Sequence, residues 1–279
     1  MLKFDLRTPD SAYYFILDLL GIDGQTFTED YICNCNSDVD QLYDMYYSTI
    51  SRVKIADIRI FAFHVTGSLD DCQNIKQHGL LNLKDVLSCN SVITQFFKKY
   101  DLYFDIDKKT MKHGKNIYNI DYELLKSMYH ATPQEESLFR ISHRVFRDFC
   151  FNGFLYYDDV YSYSHDITKR PEFVGDIVGF IPELKMMESE WKRLSKPYRI
   201  DFFANIDQVH RFNFELDDSD VGYKIWDELS DDNKIKKWML GKAIDRAYNE
   251  LRDAYLYIRD DVVIPPTQII SCDTLKSNP

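Results

Sequence analysis

Apolar and polar positions change period several times along this chain. In the stretch 55–65, IADIRIFAFHV, the residues Ile58, Ile60, Ala62 and His64 fall on one side of a two-residue repeat. Ile55, Phe61 and Phe63 add β-branched and aromatic weight, so the stretch predicts a strand. YRIDFFANI (198–206) predicts a second, and residues 268–272 predict a terminal one. At 210–216, Phe212, Phe214 and Leu216 alternate and predict another. Helical spacing governs other segments. Leu42, Met45, Tyr46 and Ile50 share a face over 38–53, with Asp38 as cap. Residues 11–20 form a short helix ended by Gly21, and Pro133 opens a helix reaching about Phe151. Pro171 opens a further helix, 184–194 is another, and 225–258 is predicted mostly helical. Two strands, 102–107 and 116–120, flank KKTMKHGK as a hairpin with His113-Gly114 at its turn.

Strands and helices are mixed without regular strand-helix alternation. The predicted class is α+β, a mixed or antiparallel sheet core surrounded by helices. An N-terminal helical segment, 1–54, is expected to precede an α+β domain, 55–279. No GxGxxG follows a strand, and the GxxxxGK[ST], GxSxG and HExxH patterns are absent.

Composition narrows the picture. A chain of 279 residues with 45% hydrophobic content can bury a substantial core. Aromatic content is high at 15%, with 20 Tyr and 19 Phe; tyrosine suits clefts and interfaces as well as cores, and an A/T-rich coding bias gives the same abundance. A formal charge of -11 opposes generic nucleic-acid binding. The run Lys108, Lys109, Lys112 and Lys115 reads as a solvated hairpin. The six cysteines read as reduced thiols, because MLKFDLRTPD carries no secretory signal and Cys33-Asn-Cys35 lacks a second pair at zinc spacing. No apolar run approaches about 20 residues, so no membrane span and a cytoplasmic location are expected.

The stretch FHVTGSLDDCQNIKQHGL (63–80) carries the main candidate chemistry. His64 ends a predicted strand. Thr66, Gly67 and Ser68 follow, then a helix capped by Ser68 or Asp70 and closed by Gly79. A strand-end imidazole can hydrogen-bond a ribose hydroxyl, and Gly67 admits a ligand close to the main chain. A core histidine at a sheet edge fits the same letters, and local spacing alone favours it.

This stretch resembles the first strand and following helix of the ADP-ribosyltransferase-like superfamily. The resemblance runs through His64, Thr66, Ser68, Ile75, Gly79 and Leu80. The closing DVVIPPTQIISCDTL is similar to the same superfamily's late segment, where a Val-x-Pro stretch precedes an Ile-rich strand. The resemblance implies NAD+ as a consumed substrate, with His64 positioning its ribose, Thr66, Gly67 and Ser68 supporting the pocket, and an aromatic residue stacking on nicotinamide. For that stack GFLYYDDVYSY offers Tyr157 and Tyr161, with Tyr156 and Tyr163 as alternatives. It also implies a carboxylate that meets positive charge on the ribose as nicotinamide departs. In NELRDAYLYIRDD, Glu250 and Asp253 are the candidates, Asp253 the closer to the expected place, and a solvated helix accounts for both better than a catalytic role does. The implied partner is a macromolecular acceptor, protein or nucleic acid, as for a toxin or defence factor.

Other constellations point less far. His165, Asp166, Asp158 and Asp159 match no metal-ligand spacing, and their loop reads as a lid or recognition segment. Ser142 and His143, adjacent on a helix, do not face each other. Arg140, Arg144, Arg147, Lys169 and Arg170 are candidates for holding phosphates. Two rival functions remain open: a non-enzymatic interaction module with an acidic, tyrosine-rich surface, and a nucleic-acid-processing enzyme on the same fold.

Overall fold

The computed structural model describes residues 1–148, 151–160, 170–216, 229–248 and 253–275. Within them the strands are β1 (Leu2–Asp5), β2 (Ile58–Ser68), β3 (Leu102–Asp105), β4 (Thr110–His113), β5 (Asn116–Asn119), β6 (Asn152–Tyr157), β7 (Lys196–Asn205), β8 (Asp253–Tyr257) and β9 (Ile269–Thr274). The α-helices of six or more residues are α1 (Pro9–Leu20), α2 (Val39–Met45), α3 (Gln73–His78), α4 (Leu83–Ser88), α5 (Val92–Lys98), α6 (Pro133–Phe146), α7 (Glu172–Phe180), α8 (Lys185–Leu194) and α9 (Asp231–Tyr248). The class is α+β, as the pattern predicts.

Two compact units share the chain. One comprises Met1–Phe63, Asn152–Asp158 and Phe202–Arg259, and the other His64–Phe151, Asp159–Asp201 and Asp260–Pro279. The backbone passes between them within β2 and again within β7.

In the first unit, β1 lies parallel to β2 from Leu2↔Ile58 to Asp5↔Phe61. β6 pairs antiparallel with β2 at Phe63↔Phe154, and with β8 along its length. Helix α1 begins where Thr8 accepts the Ser11 N–H at 3.1 Å, and ends where Gly21, at φ 70°, donates to Leu17 O. Its buried face, Phe15, Ile16, Leu19 and Leu20, packs on α9, which buries Met239, Leu240, Ala243 and Ile244. Each such side chain stabilises the fold by ~1.5–3 kcal/mol relative to exposure. Lys236 of α9 is buried too, its ammonium donating to the carbonyls of Ile50 and Val53 at 3.0 and 3.1 Å.

In the second unit, β3, β4 and β5 form an antiparallel meander. Its core gathers Phe97, Leu102, Met111, Ile141, Phe173, Ile177 and Trp191, with the Trp191 ring edge-on to Phe96 at 5.0 Å. Helices α6 and α7 are joined by Asp176, which accepts from Arg140 Nε at 2.9 Å and Arg144 Nε at 2.7 Å. Glu172 takes Arg144 as well, and Glu188 takes Arg170 at 2.5 Å. These guanidinium groups, candidates for phosphate, are held by carboxylates instead.

Several expectations change. KKTMKHGK supplies a strand of its own, β4, so the expected hairpin is a three-stranded meander; Gly114, at φ 59°, still makes the turn. The 210–216 stretch forms a 3-10 turn, Arg211–Phe214, rather than a strand. Helix α9 runs to Tyr248, the last described residue before 253, and 253–257 is a strand, because Ala254 and Leu256 alternate with Asp253, Tyr255 and Tyr257. On 38–53 the buried face holds Leu42, Tyr43 and Ile50, while Met45 is exposed. The segment 1–54, read as helical, also contains β1.

No helix among the described residues is long and apolar enough to cross a membrane. Five cysteines, Cys33, Cys35, Cys72, Cys89 and Cys272, are free thiols, and Cys150 lies outside the described residues.

Candidate pocket at the end of strand β2

The burial pattern of β2 changes phase along its length. Ile58, Ile60 and Ala62 are buried on one face; from residue 63 onward it is Phe63 and Val65 that are buried, while His64 and Thr66 are half-exposed. The face that starts as core therefore ends as the wall of a cavity. His64, Thr66, Gly67 and Ser68 all line it, with apolar cover from Ile75, Leu80, Val92, Ile93 and Phe151. The Phe151 ring stands edge-on to the imidazole at 6.1 Å and 83°. The cavity holds about 160 Å³, the size that accepts one aromatic ring.

Ser68 shapes the turn below this wall. Its hydroxyl donates to Asp70 Oδ1 at 2.8 Å and accepts from the Cys72 N–H at 2.9 Å. Asp70 Oδ2 accepts the Asn74 N–H at 2.7 Å, capping α3. Of the two candidate caps, only Asp70 bonds a helix N–H; the N-cap position is Cys72, and Ser68 holds the turn before it. The turn needs this support, because Asp71 and Cys72 both adopt positive φ, 51° and 59°.

A second tie holds the turn to β7. Asp71 Oδ1 accepts from Lys196 Nζ at 2.8 Å and from the Tyr198 hydroxyl at 2.9 Å. The hydrogen bond from Lys196, then that from Tyr198, holds the Asp71 carboxyl below the usual carboxylate range. Burial, reinforced by the bond to Asp71, pushes Tyr198 from 10.0 up to about 12. A phenol whose pKa is raised on folding stabilises the fold below pH 10 and loses that contribution as pH climbs through about 12. Urea midpoints should therefore fall above pH 10, and Tyr198→Phe should flatten the fall. A midpoint equally pH-dependent in the variant would remove Tyr198 from this account.

The end of α3 meets the C-terminal segment. Gly79 sits at φ 83° and ψ -167°, and a Cβ there would lie 2.0 Å from Ile264 O. Leu80 and Ile264 pair as an antiparallel bridge, with Leu80 N donating to Ile264 O at 2.9 Å and Ile264 N to Leu80 O at 3.2 Å. Cys72, buried in the same turn, is pushed up to about 12 by burial, which makes it a packing thiol rather than a nucleophile.

The other sequence candidates fall elsewhere. Asp253 and Tyr157 belong to the first unit, where they are register partners across β8 and β6. Asp253 is exposed and accepts from the Tyr255 hydroxyl at 3.1 Å. It stands on a strand, not on the solvated helix considered for it. Glu250 and Tyr161 lie outside the described residues, as do Tyr163, His165, Asp166 and Lys169. Sequence reasoning missed Phe151 as the partner of His64; the letters preceding β6 carry no motif that could have shown it. Among the described residues no group of three or more His, Cys, Asp or Glu side chains is placed to hold a metal ion.

No family model, curated protein or solved structure matches the chain.

Proposed function

We propose that this protein is an NAD+-consuming enzyme of the ADP-ribosyltransferase-like kind, transferring ADP-ribose to a macromolecular acceptor. One observation carries the reading: the two segments that resemble that superfamily meet in the fold. The Leu80–Ile264 bridge joins them, with Gly79 pressed against Ile264 beside the cavity that His64 and Thr66 line. Two stretches far apart in sequence, each resembling a part of one superfamily, are thus in contact.

In this reading the cavity takes the nicotinamide ring and leaves the rest of the dinucleotide outside, as its volume of about 160 Å³ requires. The imidazole of His64 hydrogen-bonds the adjoining ribose. The C1′–N bond breaks with its electron pair going to the ring nitrogen, so nicotinamide leaves neutral. An oxocarbenium-like ribose remains, and the acceptor nucleophile attacks C1′ and sheds its proton. A carboxylate beside that centre lowers the barrier, and its removal costs on the order of a hundredfold in rate. Of the two tyrosines offered for the stack, Tyr157 belongs to the other unit, and Tyr161 is the one retained for the stacking face.

The test is nicotinamide release from NAD+ by the purified chain. His64→Ala should reduce release at least about tenfold while its melting curve stays that of a folded protein. Glu250→Gln, assayed beside it, tests the carboxylate. A wild-type chain that neither binds NAD+ nor releases nicotinamide, with or without cell extract as a source of acceptor, would sink the proposal.

A further inference from the structure

The acidic excess is unevenly shared. The first unit carries 14 Lys and Arg against 23 Asp and Glu, a net of -9, whereas the second has 20 against 22, a net of -2. The unit that holds almost all the charge also displays a row of aromatic rings.

That row follows from strand periodicity. β8 turns Ala254 and Leu256 into the core, and Asp253, Tyr255 and Tyr257 to the opposite face. Tyr257 and Tyr255 stand 6.2 Å apart, and Tyr157 of β6 continues the row 6.3 Å from Tyr255. Tyr157 reaches this position through an irregularity in the β6–β8 register between Phe154 and Tyr156. At the other end Phe212 lies 5.0 Å from Tyr257, and His210 stacks on Phe212 at 5.0 Å and 22°.

The row is preorganised. The His210 N–H donates to Tyr257 O at 2.9 Å, the Arg259 N–H to Gln208 O at 2.9 Å, and the Tyr257 N–H to Asn213 Oδ1 at 3.0 Å. These bonds fix residues 208–213 along β8. The three tyrosines are partly exposed and Phe212 is 45% exposed. Carboxylates stand at the Tyr157 end: Asp253, its register partner, and Asp158, its chain neighbour, both exposed.

We infer that this face is a docking surface for a basic polypeptide segment, read chiefly through arginine. The charge is complementary at the Tyr157 end, where two exposed carboxylates stand in a unit of net -9; the exposed Arg211 and Arg259 mark the other end. The chemistry is complementary as well, because a guanidinium stacks on an aromatic face while its edge reaches a carboxylate. The unit already uses this contact internally. Arg246 lies over Tyr156 at 3.7 Å, Arg59 over Phe203 at 4.4 Å and Arg7 over Phe61 at 5.3 Å. Several rings in line suit an extended segment presenting successive side chains. A nucleic acid, by contrast, would meet like charge.

The test is fluorescence anisotropy with a short labelled peptide alternating glycine and arginine, beside matched lysine and glutamate peptides and a single-stranded oligonucleotide. It is run without NAD+, so its outcome and that of the transferase reading are separate. Wild type should prefer the arginine peptide over lysine and bind neither glutamate peptide nor oligonucleotide. Tyr255→Leu and Tyr257→Leu keep apolar volume and should each weaken arginine binding by about five- to tenfold with unchanged melting. Phe212→Leu, at the more exposed ring, provides the reading if either fails to fold. Tyr103→Leu, an exposed tyrosine of the second unit, should leave affinity unchanged. No arginine binding at millimolar peptide, equal affinity in folded ring variants, or preference for glutamate or the oligonucleotide would each overturn the inference.

Discussion

Gly79→Ala should destabilise the protein by about 3 kcal/mol or more, as read by urea denaturation. Two independent effects add. At φ 83° and ψ -167° the backbone lies in a region that only glycine populates freely, and an L-residue there costs ~1–3 kcal/mol. The new methyl carbon would also start 2.0 Å from Ile264 O, 3.0 Å from Ile264 C and 3.0 Å from the Cα of Pro265. All three are backbone atoms, so no side chain can swing aside. Relief requires the Leu80–Ile264 bridge to open, exposing two hydrogen bonds and loosening the wall of the cavity. The variant should lose nicotinamide release together with stability. A variant within about 1 kcal/mol of wild type would show that the C-terminal segment yields easily, and would weaken the claim that the two segments form one structure.

Lys236→Met should cost about 2–4 kcal/mol, although it replaces a charged side chain with an apolar one of similar length. Lys236 is 2% exposed, and its ammonium donates to the carbonyls of Ile50 and Val53, with Ser51 O at 3.5 Å. These carbonyls lie at the end of the short helix Tyr47–Ile50 and just beyond it. Methionine fills the space but removes the ammonium from both carbonyls, leaving Ile50 O with only the Val53 N–H at 3.1 Å. Burial also holds the Lys236 pKa below 10.5, so its protonation opposes folding. Wild-type stability should rise as pH climbs from that lowered value to 10.5, and the methionine variant should lack the rise. A neutral substitution would mean that water reaches the carbonyls.

The sequence made some parts of this legible and hid others for identifiable reasons. Alternation in IRIFAFHV located β2, and YRIDFFANI located β7, because a half-buried strand writes its period directly into the letters. The cap at Asp38 and the helix end at Gly21 are local features and read equally well, whereas the caps at Thr8 and Thr132 go unread. The 253–257 strand was masked by the helical segment before it: a continuous apolar-rich run gives no sign of where one period yields to another. At 210–216 alternation was present, but Phe212 is exposed and Phe214 buried, so the pattern came from a 3-10 turn. For the cavity, His64, Thr66 and Gly67 could be nominated from the stretch itself. Phe151, Val92 and Ile93 could not, because their approach depends on tertiary packing that leaves no local trace. Tyr198 binding Asp71 is a contact between residues 127 apart, beyond any spacing rule.

The interleaving of the two units has a consequence for how the chain is made. One is assembled from Met1–Phe63, Asn152–Asp158 and Phe202–Arg259, and the other closes with Asp260–Pro279. During synthesis, β1 and β2 emerge early but wait for β6 and β8, and the Gly79 turn waits for Ile264. Neither unit completes its native contacts until the segments reaching Arg259 and Ile264 are made. Folding is accordingly governed by non-local closure, so fragments ending after β5 or before β8 should be recovered as chaperone-bound or aggregated material rather than as folded halves.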